Sequence, residues 1–229
     1  MITRVAIVGA GTMGHGIAAM ASMAGYTVAL TDSSEASRAA AHSKVERVVM
    51  RAIESGKLPS PPFASRAFRP SSIWAPGRRL TTNEQRKADA LARVHVTETL
   101  TEAVDGADLV IEAIPERLEL KQALFAELDD AAPAAALLAT NTSSLSVTEI
   151  ATAVGSPERV IGLHFFNPVA VMKLVELVRG AATSVHAIES ATIFAESLGK
   201  TTILVRDSPG FATSRLGVVL GLEAIRMLE

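Results

Sequence analysis

Cysteine is absent from this 229-residue chain, which excludes disulfide bonds, thiolate metal sites and a cysteine nucleophile. An excess of one charge sign is also missing, since 22 Lys and Arg residues stand against 24 Asp and Glu residues. The formal net charge of −2 gives no field that would attract nucleic acid, and the sequence shows neither a basic tail nor a zinc-finger pattern. We therefore expect no nucleic-acid partner.

Long hydrophobic runs are missing as well. No apolar stretch approaches the roughly 20 residues that a membrane-spanning helix needs, so no membrane partner is expected. The N-terminus passes from Met1 directly into a strand-like stretch without the pattern of a signal peptide, and a cytoplasmic location is the simplest expectation. The chain length suits one large domain, or one domain with the beginning of another.

A glycine-rich turn follows the first predicted strand. The strand, Val5 to Val8, is a continuous apolar run typical of a parallel strand covered on both faces. A small-residue helix over 15–23 and a second strand over 27–31 follow, and this strand ends at Asp32. Strand, glycine turn, helix, strand and acid occur in the order of a dinucleotide site. The predicted cofactor-binding turn comprises Gly9, Ala10, Gly11, Thr12, Met13 and Gly14.

The turn and the acid together favour NAD over NADP. Backbone amides at the helix N-terminus would face the cofactor phosphates, and the glycines would allow the tight turn and the close approach. Asp32 would accept hydrogen bonds from the ribose hydroxyls, and its charge would repel a 2′-phosphate. Although Ser33 and Ser34 would tolerate a phosphate, no arginine follows until Arg38. The structural alternative is a plain turn between strand and helix.

The remaining pattern alternates between strands and helices. Further strands are predicted over 94–96, 108–112, 136–140, 159–164, 172–178 and 201–205. Helices are predicted over 35–57, 82–92, 100–104, 118–128, 184–198 and 212–229. The fold class is therefore α/β, a Rossmann-type doubly wound and mainly parallel sheet, followed by the start of an all-helical second domain. Candidate ligand-binding residues at strand ends, which would share one rim of the sheet, are Asp32, Glu116, Ser143 and His164.

Residues 58–80 interrupt this alternation. They hold five of the ten prolines together with several arginines, and no acidic residue occurs among them. Proline at this density opposes a regular helix or central strand, so we predict a loop or disordered insertion. The alternative is that its arginines meet an anionic ligand. The predicted domains are 1–206, which contains this insertion, and 207–229, a linker and one helix.

One segment, 162–176, combines a histidine and a glutamate in a strand, turn and strand. His164 would end a buried strand, the Asn167-Pro168 step would break it, and the second strand would bring Glu176 back. An imidazole whose tautomer is fixed by a carboxylate is suited to moving a proton. The competing interpretation is a hydrogen-bonded structural histidine.

Six ordered motifs resemble the L-3-hydroxyacyl-CoA dehydrogenase family. They are Gly9-x-Gly11-x-x-Gly14, Glu112-Ala-Ile-Pro-Glu116, Asn141-Thr-Ser-Ser-Leu145, Gly162-Leu-His-Phe-Phe-Asn-Pro168, Met172-Lys-Leu-Val-Glu176 and Asp207-Ser-Pro-Gly-Phe211. The resemblance covers nearly the whole chain outside 58–79 and is most marked for the short bacterial enzymes that act on 3-hydroxybutyryl-CoA. It implies hydride transfer between NAD and the C3 hydroxyl of a short-chain 3-hydroxyacyl-CoA.

The resemblance also implies roles for individual residues. His164 would be the general base in oxidation and the acid in reduction, with Glu176 on its other ring nitrogen. Ser143 would contact the substrate oxygen beside the nicotinamide, and Asn167 would belong to the same site. The cofactor-side positions, in addition to the glycine turn and Asp32, would be Glu116, Lys121, Ser143 and Asn167.

Two departures from the family pattern accompany the resemblance. Ser214 stands where the family usually has asparagine, so this substrate contact would be looser or water-mediated. Only the first helix of the family's second domain is recognisable in 207–229, so we expect a chain that lacks most of that domain and a homodimer when the domain is complete. Alternative functions are a gulonate-type sugar-acid dehydrogenase and a non-catalytic NAD-binding relative of the crystallin kind.

Overall fold

The computed structural model describes residues 1–56, 59 and 82–228, and the predicted insertion lies almost entirely outside them. The strands are β1 (Arg4–Val8), β2 (Thr27–Thr31), β3 (Val94–Val96), β4 (Leu109–Glu112), β5 (Leu137–Thr140), β6 (Val160–Phe165), β7 (Leu174–Arg179) and β8 (Thr201–Arg206). They form one sheet in the order β3-β2-β1-β4-β5-β6-β7-β8. Neighbouring strands are parallel except β6 and β7.

Helices cover both faces of this sheet. They are α1 (Thr12–Ala24), α2 (Glu35–Glu54), α3 (Asn83–Leu91), α4 (Leu100–Val104), α5 (Leu118–Ala131), α6 (Val147–Ala151), α7 (Val185–Ser197) and α8 (Thr213–Arg226). One core cluster joins the sheet to α1, α2 and α7, and a second joins it to α4, α5 and α6. The predicted Rossmann-type, doubly wound fold is thus confirmed, with the strand order 3-2-1-4-5-6.

Two helix ends that differ from the sequence prediction are the start of α1 and the end of α2. Helix α1 begins directly after Gly11, earlier than expected, and α2 ends at Glu54 rather than at residue 57. Two residues beyond α2, Gly56 adopts a left-handed conformation (φ 68°) that terminates helices. The short α6 is absent from the prediction because five residues are too few to show a helical period.

The last helix, α8, is attached to the sheet mainly through its beginning. Phe211, just before it, is buried, whereas the helix has no buried residue. Its large apolar residues are half or more exposed, for example Leu216 at 59% and Val218 at 62%. A division of the chain at residue 207 stays a prediction. Within the described ranges, no helix is both long and apolar enough to cross a membrane.

Candidate active site

A cleft of about 350 Å³ opens at the carboxyl edge of the sheet. Five residues predicted from the sequence line it, namely Met13, Glu116, Ser143, His164 and Asn167. They come from four different loops or strand ends, which a parallel sheet brings to the same edge. The structure therefore gathers these five predicted residues in one cleft.

The pairing of β6 with β7 places His164 directly opposite Glu176. Opposed residues on antiparallel strands point to the same face, so their side chains meet. His164 Nδ1 lies 2.6 Å from Glu176 Oε2, and the two residues are 7% and 0% exposed. The predicted return of Glu176 to the histidine is confirmed as geometry.

Glu176 is held as a carboxylate by several donors. Its Oε1 accepts from the backbone N–H of Thr213 at 2.9 Å, and its Oε2 accepts from the Thr213 hydroxyl at 3.1 Å. Burial would raise the pKa of Glu176, but the hydrogen bonds from His164 and Thr213 outweigh it and lower the pKa. An ionised carboxylate only accepts, so the proton of the neutral imidazole lies on Nδ1. The free lone pair of His164 is then on Nε2.

Two phenyl rings flank the imidazole. The ring centroid of Phe166 lies 4.3 Å from that of His164, and the centroid of Phe211 lies 5.9 Å away. Phe211 is 3% exposed and adopts a positive φ of 50° just before α8. The imidazole therefore packs against two aromatic rings.

On the other side of the cleft, Glu116 fixes the loop that follows β5. Its Oε1 accepts from the Thr142 hydroxyl at 2.6 Å, the Ser143 N–H at 2.8 Å and the Ser143 hydroxyl at 3.2 Å. Burial would raise the pKa of Glu116, but hydrogen bonds from Thr142 and Ser143 and the charge of Lys121 lower it. Ser143 therefore occupies a defined position facing the cleft.

Lys121 lies beneath this loop and is fully buried. Its ammonium is 2.5 Å from Glu112 Oε1 and 3.4 Å from Glu116 Oε2. Glu112, also fully buried, accepts in addition from the Ile114 N–H at 2.7 Å and the Thr140 hydroxyl at 2.6 Å. The sequence prediction included Lys121 but missed Glu112, whose signal is a carboxylate closing a strand that is otherwise apolar.

The glycine turn has the shape that a dinucleotide requires. A side chain at Gly14 would place its Cβ 1.7 Å from the Gly9 carbonyl oxygen, whereas a Cβ at Gly11 would meet nothing within 4 Å. Gly9 has a backbone φ of 109°, a conformation that residues with a side chain rarely adopt. No side chain caps the N-terminus of α1, so its backbone amides are left for an anion. These residues fit a pyrophosphate.

Asp32 lies beside this turn at the end of β2. Its carboxylate accepts from the Ala10 N–H at 2.8 Å and from the Ser34 N–H at 2.9 Å. Arg38, the first arginine after it, donates to the Asp32 carbonyl at 2.6 Å and to the Ser33 carbonyl at 3.2 Å. Because Arg38 is bound to the backbone, the surroundings of Asp32 suit a ribose diol better than a 2′-phosphate.

A second cleft, of about 370 Å³, adjoins the first across the turn that starts at Asn167. Its walls are α1, α2 and residues 167–171, and they include His15, Val48 and Arg51. Burial, together with the nearby charges of Lys44 and Arg47, lowers the pKa of His15 although its bond to the Gly11 carbonyl opposes this. The α2 side of this cleft is therefore basic.

Ser214 lies in the first turn of α8, next to Thr213, and is partly buried. It is not among the described residues that line either cleft. The structure connects this position to the site through Glu176, which accepts from the neighbouring Thr213.

Residues 4–208 match the family model described as the NAD-binding domain of 3-hydroxyacyl-CoA dehydrogenase. The chain belongs to the 3-hydroxyacyl-CoA dehydrogenase family. The match includes both sides of the cleft, and NAD is the cofactor of this family domain, in agreement with the fit of the glycine turn and Asp32. The resemblance seen in the sequence motifs is confirmed.

Relatives in this family span more residues than the chain. It is 38% identical over 224 residues to a Bacillus subtilis protein named probable 3-hydroxybutyryl-CoA dehydrogenase, covering 98% of the chain and 69% of the relative. It is 39% identical to the mitochondrial hydroxyacyl-coenzyme A dehydrogenase of Rattus norvegicus, covering 100% and 67%. The solved (S)-3-hydroxybutyryl-CoA dehydrogenase of Ralstonia eutropha aligns with a TM-score of 0.79 at 36% identity, covering 94% and 67%.

Proposed function

We propose that this chain transfers a hydride between NAD and the C3 hydroxyl of a short-chain 3-hydroxyacyl-CoA, such as 3-hydroxybutyryl-CoA. The observation that carries this proposal is the 2.6 Å contact between His164 Nδ1 and Glu176 in the cleft that adjoins the glycine turn. Family membership supports it independently, because several relatives are named for this reaction.

His164 acts as the general base in oxidation. Glu176 keeps the proton on Nδ1, so the lone pair of Nε2 accepts the proton of the C3 hydroxyl. The imidazolium that forms is stabilised by the carboxylate beside it. NAD, when bound, accepts the hydride that leaves C3. In reduction, Nε2 returns its proton to the oxygen on C3.

Ser143 and Asn167 position the reactants on either side of His164. The Ser143 hydroxyl donates to Glu116 in the structure at 3.2 Å, and it would have to turn this single proton to the substrate to bind the C3 oxygen, whose own proton goes to Nε2. Asn167 lines both clefts, so its amide is in reach of either reactant. Glu116 belongs to the cofactor side of the site, and Lys121, sealed beneath it, acts through Glu116.

The thioester reaches the site along the second cleft. Val48, Val169 and Val171 give this cleft an apolar wall for an extended acyl and pantetheine chain. Arg51 lines this cleft, and Lys44 and Arg47 lie near His15 on its wall, so the positive charges of α2 would complement the phosphates of a coenzyme A nucleotide.

Two further expectations belong to this proposal. Exposed apolar residues along α8 favour burial against another protein surface, and a homodimer that includes this helix stays a prediction. A cytoplasmic location also stays a prediction.

The test is to follow NADH oxidation with acetoacetyl-CoA in the wild type and in His164→Ala. Loss of a general acid and base lowers turnover by about 10²- to 10⁴-fold. NADH binding, measured by fluorescence titration, should be retained because the glycine turn is untouched. His186→Ala, at an exposed histidine on α7, is the matched control and should keep wild-type turnover.

Three outcomes would contradict the proposal. Undiminished turnover in His164→Ala would remove His164 from the chemistry. Wild-type turnover with gulonate but not with acetoacetyl-CoA would favour a sugar-acid dehydrogenase. NADH binding without turnover of either substrate would favour a non-catalytic relative.

A further inference from the structure

Lys200 is a buried lysine outside the site residues considered so far. It lies between α7 and β8 and is 8% exposed. Among the described residues, no carboxylate lies within ion-pair distance of its ammonium. Its Nζ donates instead to the carbonyl oxygens of Val169 and, at 2.8 Å, Met172. A buried ammonium bound only by carbonyls is costly, and burial lowers the pKa of Lys200 to about 8.

Both acceptors belong to the turn 168–172, which connects β6 to β7. Within this turn, the Pro168 carbonyl accepts from the Val171 N–H at 2.9 Å and the Met172 N–H at 3.0 Å. Lys200 binds two further carbonyls of the turn, that of Val169 near its start and that of Met172 at its end. The Thr201 N–H adds a bond of 2.7 Å to the Lys173 carbonyl just beyond it. Lys200 thus closes the turn from the inside.

The opposite side of the turn packs on α1. Val169 is 3% exposed, and a Cβ added at Gly16 would lie 2.9 Å from its Cγ2. The turn is therefore held between the helix that starts at the glycine turn and the ammonium of Lys200. Residues of this turn form part of the second cleft, and the preceding Asn167 lines both clefts.

We propose that Lys200 is a positioning residue that fixes the 168–172 turn against α1 and thereby sets the shared wall of the cofactor and substrate clefts. It touches neither the reacting atoms nor His164 and Glu176, which are held by their own strand pairing. Lys200 therefore acts on binding and leaves proton transfer unchanged. The part of the proposal that concerns the thioester rests on the proposed function.

The variant Lys200→Met tests this by removing the charge while keeping an unbranched side chain. Removing the buried ammonium relieves its desolvation cost but leaves the Val169 and Met172 carbonyls without this donor, so the two effects on Tm oppose each other. The turn loses both side-chain bonds, and we expect a rise of about fivefold or more in the KM for acetoacetyl-CoA and in the Kd for NADH. Because the turn contributes equally to binding the ground state and the transition state, its displacement should leave kcat within about twofold of the wild type.

Two further variants separate positioning from a general structural effect. Lys200→Arg keeps the charge and several donors and should restore both constants towards the wild type; if it fails to fold, Lys200→Gln, which keeps an amide donor, replaces it. Lys173→Met alters an exposed lysine beside the same turn and should leave both constants unchanged.

Wild-type KM and Kd in Lys200→Met would overturn the proposal, as would equal impairment in Lys173→Met. A wild-type protein that binds NADH but does not turn over acetoacetyl-CoA would overturn the proposed function alone. The Kd for NADH would then still report on the turn, since it requires no turnover.

Discussion

Two buried pairs flank the cleft, one of histidine with glutamate and one of lysine with glutamate, and they differ in the atoms that they leave free for a substrate. His164 and Glu176 meet at 2.6 Å between β6 and β7, and Lys121 and Glu112 meet at 2.5 Å between α5 and β4. His164 is 7% exposed and lines the cleft, whereas Lys121 is fully sealed. Similar contact geometry thus gives one pair access to a substrate and the other none.

The difference shows that exchanging a proton with a substrate requires an atom that the protein leaves unbonded, in addition to a short contact between the paired side chains. Glu176 occupies only Nδ1 of His164, and no residue of the described ranges forms a hydrogen bond with Nε2. The Lys121 ammonium contacts Glu112, Glu116 and the Ile114 carbonyl, so it is bound by protein groups and does not face a substrate. The first pair is suited to chemistry, and the second to holding the loop that carries Ser143.

Glu176→Gln should break the first pair with the largest effect. The amide of glutamine can donate to Nδ1, which favours the tautomer that carries its proton on Nε2, and that tautomer cannot act as a base. We expect the kcat for oxidation of the 3-hydroxyacyl-CoA to fall by about 10²- to 10³-fold, with NADH binding retained. Glu189→Gln, at an exposed position on α7, is the control. Wild-type kcat in Glu176→Gln would show that the carboxylate does not set the tautomer.

The same variant has a predicted pH signature. The folded state lowers the pKa of Glu176, so its carboxylate adds stability that is present above its ordinary pKa, about 4.3, and is lost as the pH falls through the folded value. The difference in unfolding free energy between wild type and Glu176→Gln should therefore shrink from pH 7 towards pH 3. A difference that is constant with pH would mean that the carboxylate is not favoured by folding.

Lys121→Met should break the second pair, and its main effect should be on stability. It leaves the Glu112 carboxylate buried without its charge partner, which typically costs about 3 kcal/mol or more of unfolding free energy. The double variant Glu112→Gln with Lys121→Met leaves no unpaired charge at the fully buried position, since Glu116 is partly exposed, and should recover a large part of this loss. Urea denaturation of both variants measures it. A double variant less stable than Lys121→Met would contradict the comparison.

The two pairs were not equally predictable from the sequence. His164 and Glu176 are reached by a strand, a turn and a strand, and antiparallel pairing makes such residues neighbours. Lys121 and Glu112 meet only because α5 returns over the end of β4, a path that no local periodicity encodes. The contacts of Lys200 were not predicted for the same reason, since its partners lie about 30 residues earlier in the chain.

Helices and strands, like the two pairs, were predictable where a local sequence pattern encodes them. Strands such as β1 and β4 are continuous apolar runs because helices cover both faces of the sheet, and this pattern is visible in the sequence. Helix α8 is apolar nearly all round, a pattern also visible in the sequence, and its large apolar residues are exposed. The position of Ser214 relative to the clefts depends on how this helix leaves the sheet, which the sequence does not determine.

Ser214→Asn should sharpen the comparison with the smallest effect. The position adjoins Thr213, which donates to Glu176, the partner of His164. An asparagine, which the family usually has, adds an amide donor, and one hydrogen bond contributes about 1 kcal/mol. We expect the KM for acetoacetyl-CoA to fall about fivefold with kcat unchanged, and Ser214→Ala to leave both constants as they are. An altered kcat with unchanged KM would instead mean that the start of α8 acts on the tautomer of His164 through Thr213 and Glu176.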